Sequence, residues 1–336
     1  MARVTPPADS TPLAGAPLQA GPLAARAPGK VNLCLFLGPT RPEDGRHELV
    51  SVITSVSLAD ELRLEPAPSG AQGDEVVCAA VPGPNLAGDA LAAYRERTGW
   101  NAPPVRLEIV KRVPIAAGMG GGSGDAAAAL RLAAHAAGRP GDPVIEEIAP
   151  TLGADVPSQL APGTTLVTGA GEHVRRLGLP EALALAIVPL PEELSTAAVY
   201  READRLKLAR SEGELADRLA AVERAVSASP PGAGGDRGAS EPPPFTLPAE
   251  LLVNDLEPAA RSLCPPIERA LAAVGEHAEH AMVSGSGPTV MGIFTGDDAP
   301  ARATVAAHRL RDRYPDAVAV APVGPDHGAV RDPGAR

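Results

Sequence analysis

The densest chemical signal in this sequence is one unbroken run: Pro114, Ile115, Ala116, Ala117, Gly118, Met119, Gly120, Gly121, Gly122, Ser123 and Gly124. Glycine lets a backbone approach a ligand closely and take up positive φ. A helix that starts behind such a loop aims its unpaired N–H groups, and the positive end of its dipole, at whatever the loop holds. Together they make an anion site suited to a di- or triphosphate. Two common nucleotide motifs do not fit. A Walker loop ends in Gly-Lys-Ser/Thr, and no lysine falls between Lys111 and Lys207. A dinucleotide fingerprint counted from Gly118 needs glycine at its sixth position, which is Ser123. A flexible glycine linker is the alternative, and the strand and helix expected on either side weigh against it.

Phosphoryl transfer asks mainly for positioning and charge neutralisation, plus a group that takes the proton of the attacking hydroxyl. Asp155 can be that base. Followed by Val156 and Pro157, it is also a good helix cap, and the two roles are compatible. Lys30 can stabilise an alkoxide or the migrating charge, or it can be a solvated lysine ahead of a strand. Only three of the thirty basic residues are lysines (Lys30, Lys111 and Lys207), so a lysine inside a motif is more informative than usual. Asn32 lies two residues on, and strand alternation puts it on the face of Lys30. His47 is either a surface histidine or a ligand-binding one. Tyr200 is either a core ring or a stacking one.

Pro114, Gly118, Met119, Gly120 and Ser123 match the Pro-x-x-x-Gly-Leu/Met-Gly-rich-Ser hallmark of the GHMP kinases. The sequence resembles that family in seven segments, in the family's order, between about residues 24 and 295. Besides the glycine run they are Ala27 to Leu33, Asp44-Gly45-Arg46-His47, Gly153 to Pro157, Ser195-Thr196 with Tyr200, Asn254 to Pro258, and Ser284 to Pro288. The resemblance implies an α+β fold of two GHMP domains with the active site in the cleft between them. It implies ATP with Mg2+ as phosphate donor, Asp155 and Lys30 as the catalytic pair, and nucleotide binding by the run from Pro114 to Gly124, with Ser123 available to the metal. Asn32, His47 and Tyr200 would bind the acceptor.

The Asp-Gly-x-His segment and Tyr200 resemble one branch in particular. Its acceptor is a small cytidine diphosphate ester, phosphorylated on a 2-hydroxyl in the non-mevalonate route to isoprenoids. There the histidine bonds the cytosine and an aromatic ring stacks on it. Tyr or Phe usually precedes that histidine; here it is Arg46, whose planar guanidinium can also stack on a base. Gly124 stands where alanine is common. Two alternatives stay open: a GHMP kinase for homoserine, mevalonate or a sugar, and a non-catalytic nucleotide-binding protein.

Composition bounds these readings. A net charge of -11 argues against a nucleic-acid or membrane-surface partner. A hydrophobic fraction of 44% supports a buried core, and with 2% aromatics that core must be Ala, Val, Leu and Ile. Cys34, Cys78 and Cys264 match no metal-ligand spacing and read as free thiols of a reducing, cytoplasmic compartment. No apolar run approaches the length of a membrane span, and the first twenty residues do not read as a signal peptide.

Periodicity and breakers predict the elements that must hold these residues. Strands are expected at 31–37, 49–58, 61–65, 74–81 and 105–113, with a helix at 86–98 stopped by Gly99. An alanine-rich helix at 125–137 follows the glycine run, and another starts at Asp142-Pro143 and ends near Gly153. The second half should hold strands at 183–190, 289–294 and 318–323, with helices at 196–210, 212–227, 250–263, 267–275 and 301–314. The domains are expected at 23–178 and 179–323, with disordered tails at 1–22 and 324–336 and a flexible Pro/Gly/Ser-rich insertion at 229–244.

Overall fold

The computed structural model describes residues 21–227 and 242–333. The expectation of a tail at 1–22 lies almost wholly outside the described residues, as does most of the insertion at 229–244.

The first half is built on a long antiparallel pair, β1 (Leu23–Thr40) and β2 (His47–Pro66). Strands β3 (Glu75–Val77), β4 (Val105–Val110), β5 (Thr164–Thr168) and β6 (His173–Leu177) complete a six-stranded sheet of order β3-β4-β2-β5-β6, with β1 on β2. Helices α1 (Leu86–Thr98), α2 (Gly121–Ala136), α3 (Val144–Leu152) and α4 (Val156–Gln159) belong to this half. Asn85 caps α1 by accepting the Ala87 N–H, and Gly99 ends it at φ 68°.

The second half carries β7 (Leu183–Val188), α5 (Thr196–Leu206), α6 (Glu212–Ser227), α7 (Glu257–Leu263), α8 (Pro266–Gly275), β8 (His280–Val283), β9 (Val290–Thr295), α9 (Ala299–Leu310) and β10 (Val318–Val320). Its sheet is antiparallel, in the order β10-β7-β9-β8.

Strand alternation divides the core. On β7, Ala184, Ala186 and Val188 face α5, α7, α8 and α9, whereas Leu185 and Ile187 join Met291 and Ile293 of β9 in a layer shared with Val31, Leu33, Phe36 and Val52 of the first sheet. A third cluster packs α1, α2 and α3 on the first sheet. Ala126 to Ala129 of α2 are fully buried there, and their small side chains let the helix lie close to β1. The core is aliphatic, as the composition requires.

Several boundaries differ from the sequence expectations. β1 is continuous from Leu23 to Thr40, because register shifts between Pro28 and Lys30 and between Asn32 and Cys34 absorb the Pro-Gly break. The strands expected at 49–58 and 61–65 are one, β2, since β4 pairs one end of it and β5 the other. The region 250–263 holds a 3-10 turn (Ala249–Leu251) and then α7, interrupted where Asn254 turns inward. β5 and β6 were not anticipated.

The tail expected at 324–336 is ordered through Pro333: a 3-10 turn (Pro325–Gly328) leads to Arg331, whose backbone pairs with Ala24 on β1. Satisfying that strand's peptide groups is what fixes it. At the end of the insertion, Pro242 and Pro243 are exposed and Pro244 is half-buried. A Cβ on Gly178 would collide with the Pro243 carbonyl oxygen, and Phe245, next in line, is fully buried.

Candidate active site

The glycine run divides into a loop and a helix start. Gly118 and Gly120 take the left-handed conformation, at φ 74° and 64°. Gly121, Gly122, Ser123 and Gly124 form the first turn of α2 rather than the end of the loop, closed by the Gly124 N–H on the Gly120 carbonyl at 2.8 Å. Free N–H groups of that turn therefore point out of the helix end, as an anion cradle needs.

The cradle's shape depends on close backbone approach. A Cβ on Gly118 would lie 2.6 Å from the carbonyl oxygen of Gly287. The glycine loop thus rests on the Ser284–Pro288 turn of the second half, bringing together two motifs far apart in sequence. Asn254 braces that turn: its Nδ2 donates to the Val283 and Gly285 carbonyls at 2.8 and 2.7 Å.

Lys30 sits on β1 with its backbone N–H on the Met119 carbonyl at 2.8 Å, so the strand and the loop are stitched directly. Its side chain is buried at 6% exposure, which removes the solvated-lysine reading. The ammonium donates to Asn32 Oδ1 at 3.0 Å, on the shared strand face that alternation predicts. Asn32 Nδ2 donates to Ser51 Oγ, and Ser51 to the Cys34 carbonyl, so the amide's orientation is fixed from behind. Asp155 Oδ2 lies 3.7 Å from Lys30 Nζ. Asp155 stands at the start of α4, but its side chain makes no capping hydrogen bond. It faces Lys30 instead and remains 41% exposed, open to a ligand.

Two cavities meet at this point. One, of about 660 Å3, is lined by Lys30, Asn32, Asp155, Arg46, His47 and Tyr200, among others. The other, of about 390 Å3, runs along the glycine run from Pro114 to Ser123 with Asn85, Leu86 and Lys111. They share Gly118, Gly120 and Ser123. A group in the second cavity can therefore be handed across the helix start to a group in the first.

His47 is buried, not a surface residue. Nδ1 lies 2.9 Å from the Gly38 carbonyl and Nε2 2.9 Å from Asp204 Oδ1. Its ring is 5.6 Å from that of Tyr200, tilted by 39°. Tyr200 is half-buried between the core and the cavity; burial pushes its phenol up to about 12, the Asp155 charge adds to this, and Arg46 opposes it. The Arg46 guanidinium donates to the Ala170 carbonyl at the cavity wall.

One group of residues beside the glycine run was not anticipated. Lys111 Nζ reaches Asp60 Oδ2 at 2.5 Å and Asp125 Oδ2 at 2.7 Å, all three side chains being buried. Asp60 also accepts the Arg112 and Val113 N–H groups through Oδ1. Burial pulls the ammonium down, but the two carboxylates outweigh it and hold Lys111 above its usual range. Burial pushes the Asp125 carboxyl up to about 7 despite the lysine. The scarcity of lysine was the one hint in the sequence. Asp204 and Gln159 carried no signal of their own, whereas Asn254 opened one of the segments that carry the resemblance.

Among the described residues no cluster of His, Cys, Asp and Glu can hold a metal alone, and no helix is long and apolar enough to cross a membrane. All three cysteines are free and buried, and burial pushes the Cys34 thiol up to about 12.

Comparison with known proteins identifies the family. The GHMP kinases N terminal domain matches residues 85–163, and the GHMP kinases C terminal domain matches residues 245–316. A 4-diphosphocytidyl-2-C-methyl-D-erythritol kinase of Kineococcus radiotolerans is 38% identical over 309 residues, covering 88% of this chain and 86% of that protein. One from Mycolicibacterium gilvum is 39% identical over 281 residues, covering 82% and 83%. A crystal structure of 4-(cytidine 5'-diphospho)-2C-methyl-D-erythritol kinase superposes with a TM-score of 0.67 at 31% identity, covering 90% of this chain and 99% of that one. Homoserine kinase from Cytophaga hutchinsonii, at 16% identity and a TM-score of 0.63, shares the fold. With this identity sustained over most of both chains, the protein belongs to the GHMP kinase family, among its 4-diphosphocytidyl-2-C-methyl-D-erythritol kinases.

Proposed function

We propose that the protein transfers the γ-phosphoryl group of ATP to the 2-hydroxyl of 4-diphosphocytidyl-2-C-methyl-D-erythritol, giving ADP and the 2-phosphate. The observation that carries this is the meeting of two cavities at Gly118, Gly120 and Ser123, with Lys30 and Asp155 on the acceptor side. ATP lies along Pro114 to Gly124, its phosphates on the first-turn N–H groups of α2. Asp155 takes the proton of the attacking hydroxyl. Lys30, held by Asn32, offsets the negative charge that develops on the attacking oxygen and the migrating group. Nucleophile, base and donor are all positioned before reaction, which is most of what this chemistry requires.

His47 and Tyr200 bind the cytosine, with Arg46 on the cavity wall in place of a second ring. Mg2+ would come with the triphosphate and neutralise its charge; Ser123, at the shared edge of both cavities, is the hydroxyl placed to hold it. We take the chain as two domains meeting near residue 178, on the strength of its two sheets, and the buried free thiols favour a cytoplasmic setting.

The test is ADP release with a panel of acceptors. Turnover with the cytidine diphosphate compound is expected. Turnover with homoserine, mevalonate or a sugar alone would defeat the proposal, and ATP binding without turnover on any acceptor would defeat the enzymatic reading.

A further inference from the structure

We propose that Asp60 and Asp125, through the Lys111 they share, are positioning residues for ATP: they clamp together the two ends of the glycine run and so set its affinity for the nucleotide. The inference rests on the reading given above, in which ATP lies along that run.

A run of glycines supplies little rigidity of its own, so its shape has to be held from both ends. At the entry, β4 stays in register with β2 as far as Val110, which pairs with Glu61. Lys111, Arg112 and Val113 then leave the ladder and lead to Pro114. The next residue of β2, Asp60, follows them with its side chain. Oδ1 accepts the Arg112 and Val113 N–H groups at 2.6 and 2.8 Å, and Oδ2 accepts Lys111 Nζ at 2.5 Å.

The exit is tied through the same ammonium. Lys111 Nζ also donates to Asp125 Oδ2 at 2.7 Å, and Asp125 is the fifth residue of α2. A Cβ on Gly121 would lie 3.2 Å from Nζ, so the ammonium sits against the first residue of that helix. β2, Lys111 and α2 are thus joined by two charge-assisted bonds in series, and these bracket residues 114–124. The three side chains are at most 8% exposed, so water competes little for either bond. Asp60 is fully buried and lines neither cavity, so it acts on ATP only by holding the loop.

Charge gives no reason for this arrangement. A carboxylate beside a triphosphate repels it, and removing one can only leave ATP binding unchanged or tighten it. A clamp predicts the opposite sign.

The experiment measures kcat and the KM of ATP and of the acceptor in the wild type, Asp60→Asn, Asp125→Ala and the double variant, with folding checked by thermal melting. Asparagine at 60 has one oxygen where the carboxylate has two, so its amide nitrogen must face either Lys111 or the Arg112 and Val113 N–H groups. Each single substitution should raise the ATP KM at least about fivefold, with the acceptor KM and kcat at saturating ATP changed less than about twofold. Because the bonds are in series, breaking either one frees the loop. The double variant should therefore show an ATP KM within about twofold of the higher single value. Asp125→Ala makes the same test should Asp60→Asn not fold. An ATP KM unchanged or lowered, equal rises for both substrates, or effects that multiply in the double variant overturn the clamp while the ATP reading stands. A wild type that releases no ADP with any acceptor overturns that reading and this inference with it.

Discussion

Gly124 is a glycine four residues into a helix otherwise rich in alanine, and a neighbour explains it. A Cβ there would lie 2.9 Å from Gln159 Oε1 and 3.2 Å from the Pro28 carbonyl oxygen. Gln159 is buried, and its amide donates to the Gly120 carbonyl at 3.1 Å, so its side chain cannot swing aside without releasing the glycine loop. Alanine should gain up to about 1 kcal/mol of helix propensity over glycine. Overpacking of this kind costs about 1–3 kcal/mol. The net expectation for Gly124→Ala alone is a loss of about 1 kcal/mol. In a Gln159→Ala background the first contact is gone, and the same substitution should stabilise by up to about 1 kcal/mol. The coupling energy of the pair is therefore about 1–2 kcal/mol, measurable from urea unfolding of the four proteins. Gln159→Ala should also raise the KM for ATP, through the freed Gly120, without changing that for the acceptor. Additivity within about 0.5 kcal/mol would refute the account of why glycine stands here.

Asp155→Ala and Lys30→Ala should each lower kcat by at least about 100-fold, with far-UV circular dichroism unchanged; near wild-type turnover in both would remove them from the mechanism. Arg46→Ala should raise the acceptor KM about tenfold by losing a stacking partner, and an equal rise in the ATP KM would contradict that role. The Asp125 carboxyl, pushed up to about 7 from 3.8, holds its proton more tightly in the folded chain than in the unfolded one. Its contribution to stability is whole below pH about 4 and is lost as pH rises toward 7, so wild-type stability relative to Asp125→Asn should fall across that window in urea midpoints. A rise would show that the Lys111 charge outweighs burial.

The parts of the site that follow a local rule were legible in the sequence. Glycines at 118 and 120 reported a backbone in the left-handed region, and two-residue alternation put Lys30 and Asn32 together. The element list was also largely legible, down to Leu86–Thr98 and Glu212–Ser227. What escaped depends on contacts between distant segments. The Asp60–Lys111–Asp125 cluster joins β2, the end of β4 and α2, and each residue alone looks like an ordinary surface charge. β5 and β6 lack a strong alternating pattern and exist because β2 has a free edge for them. The ambiguity over Asp155 was of the same kind: cap or base cannot be decided until the position of Lys30 is known.

The two cavities that share Gly118, Gly120 and Ser123 have otherwise separate linings. On the proposed assignment of ATP and acceptor, neither would have to cross the other's cavity to reach the shared edge, which predicts that either can bind first. The glycine run acts as a common wall as well as a cradle. An inhibitor that joined a nucleotide mimic to an acceptor mimic would gain from holding both rooms at once, provided its linker were slim enough to cross that wall where the helix begins.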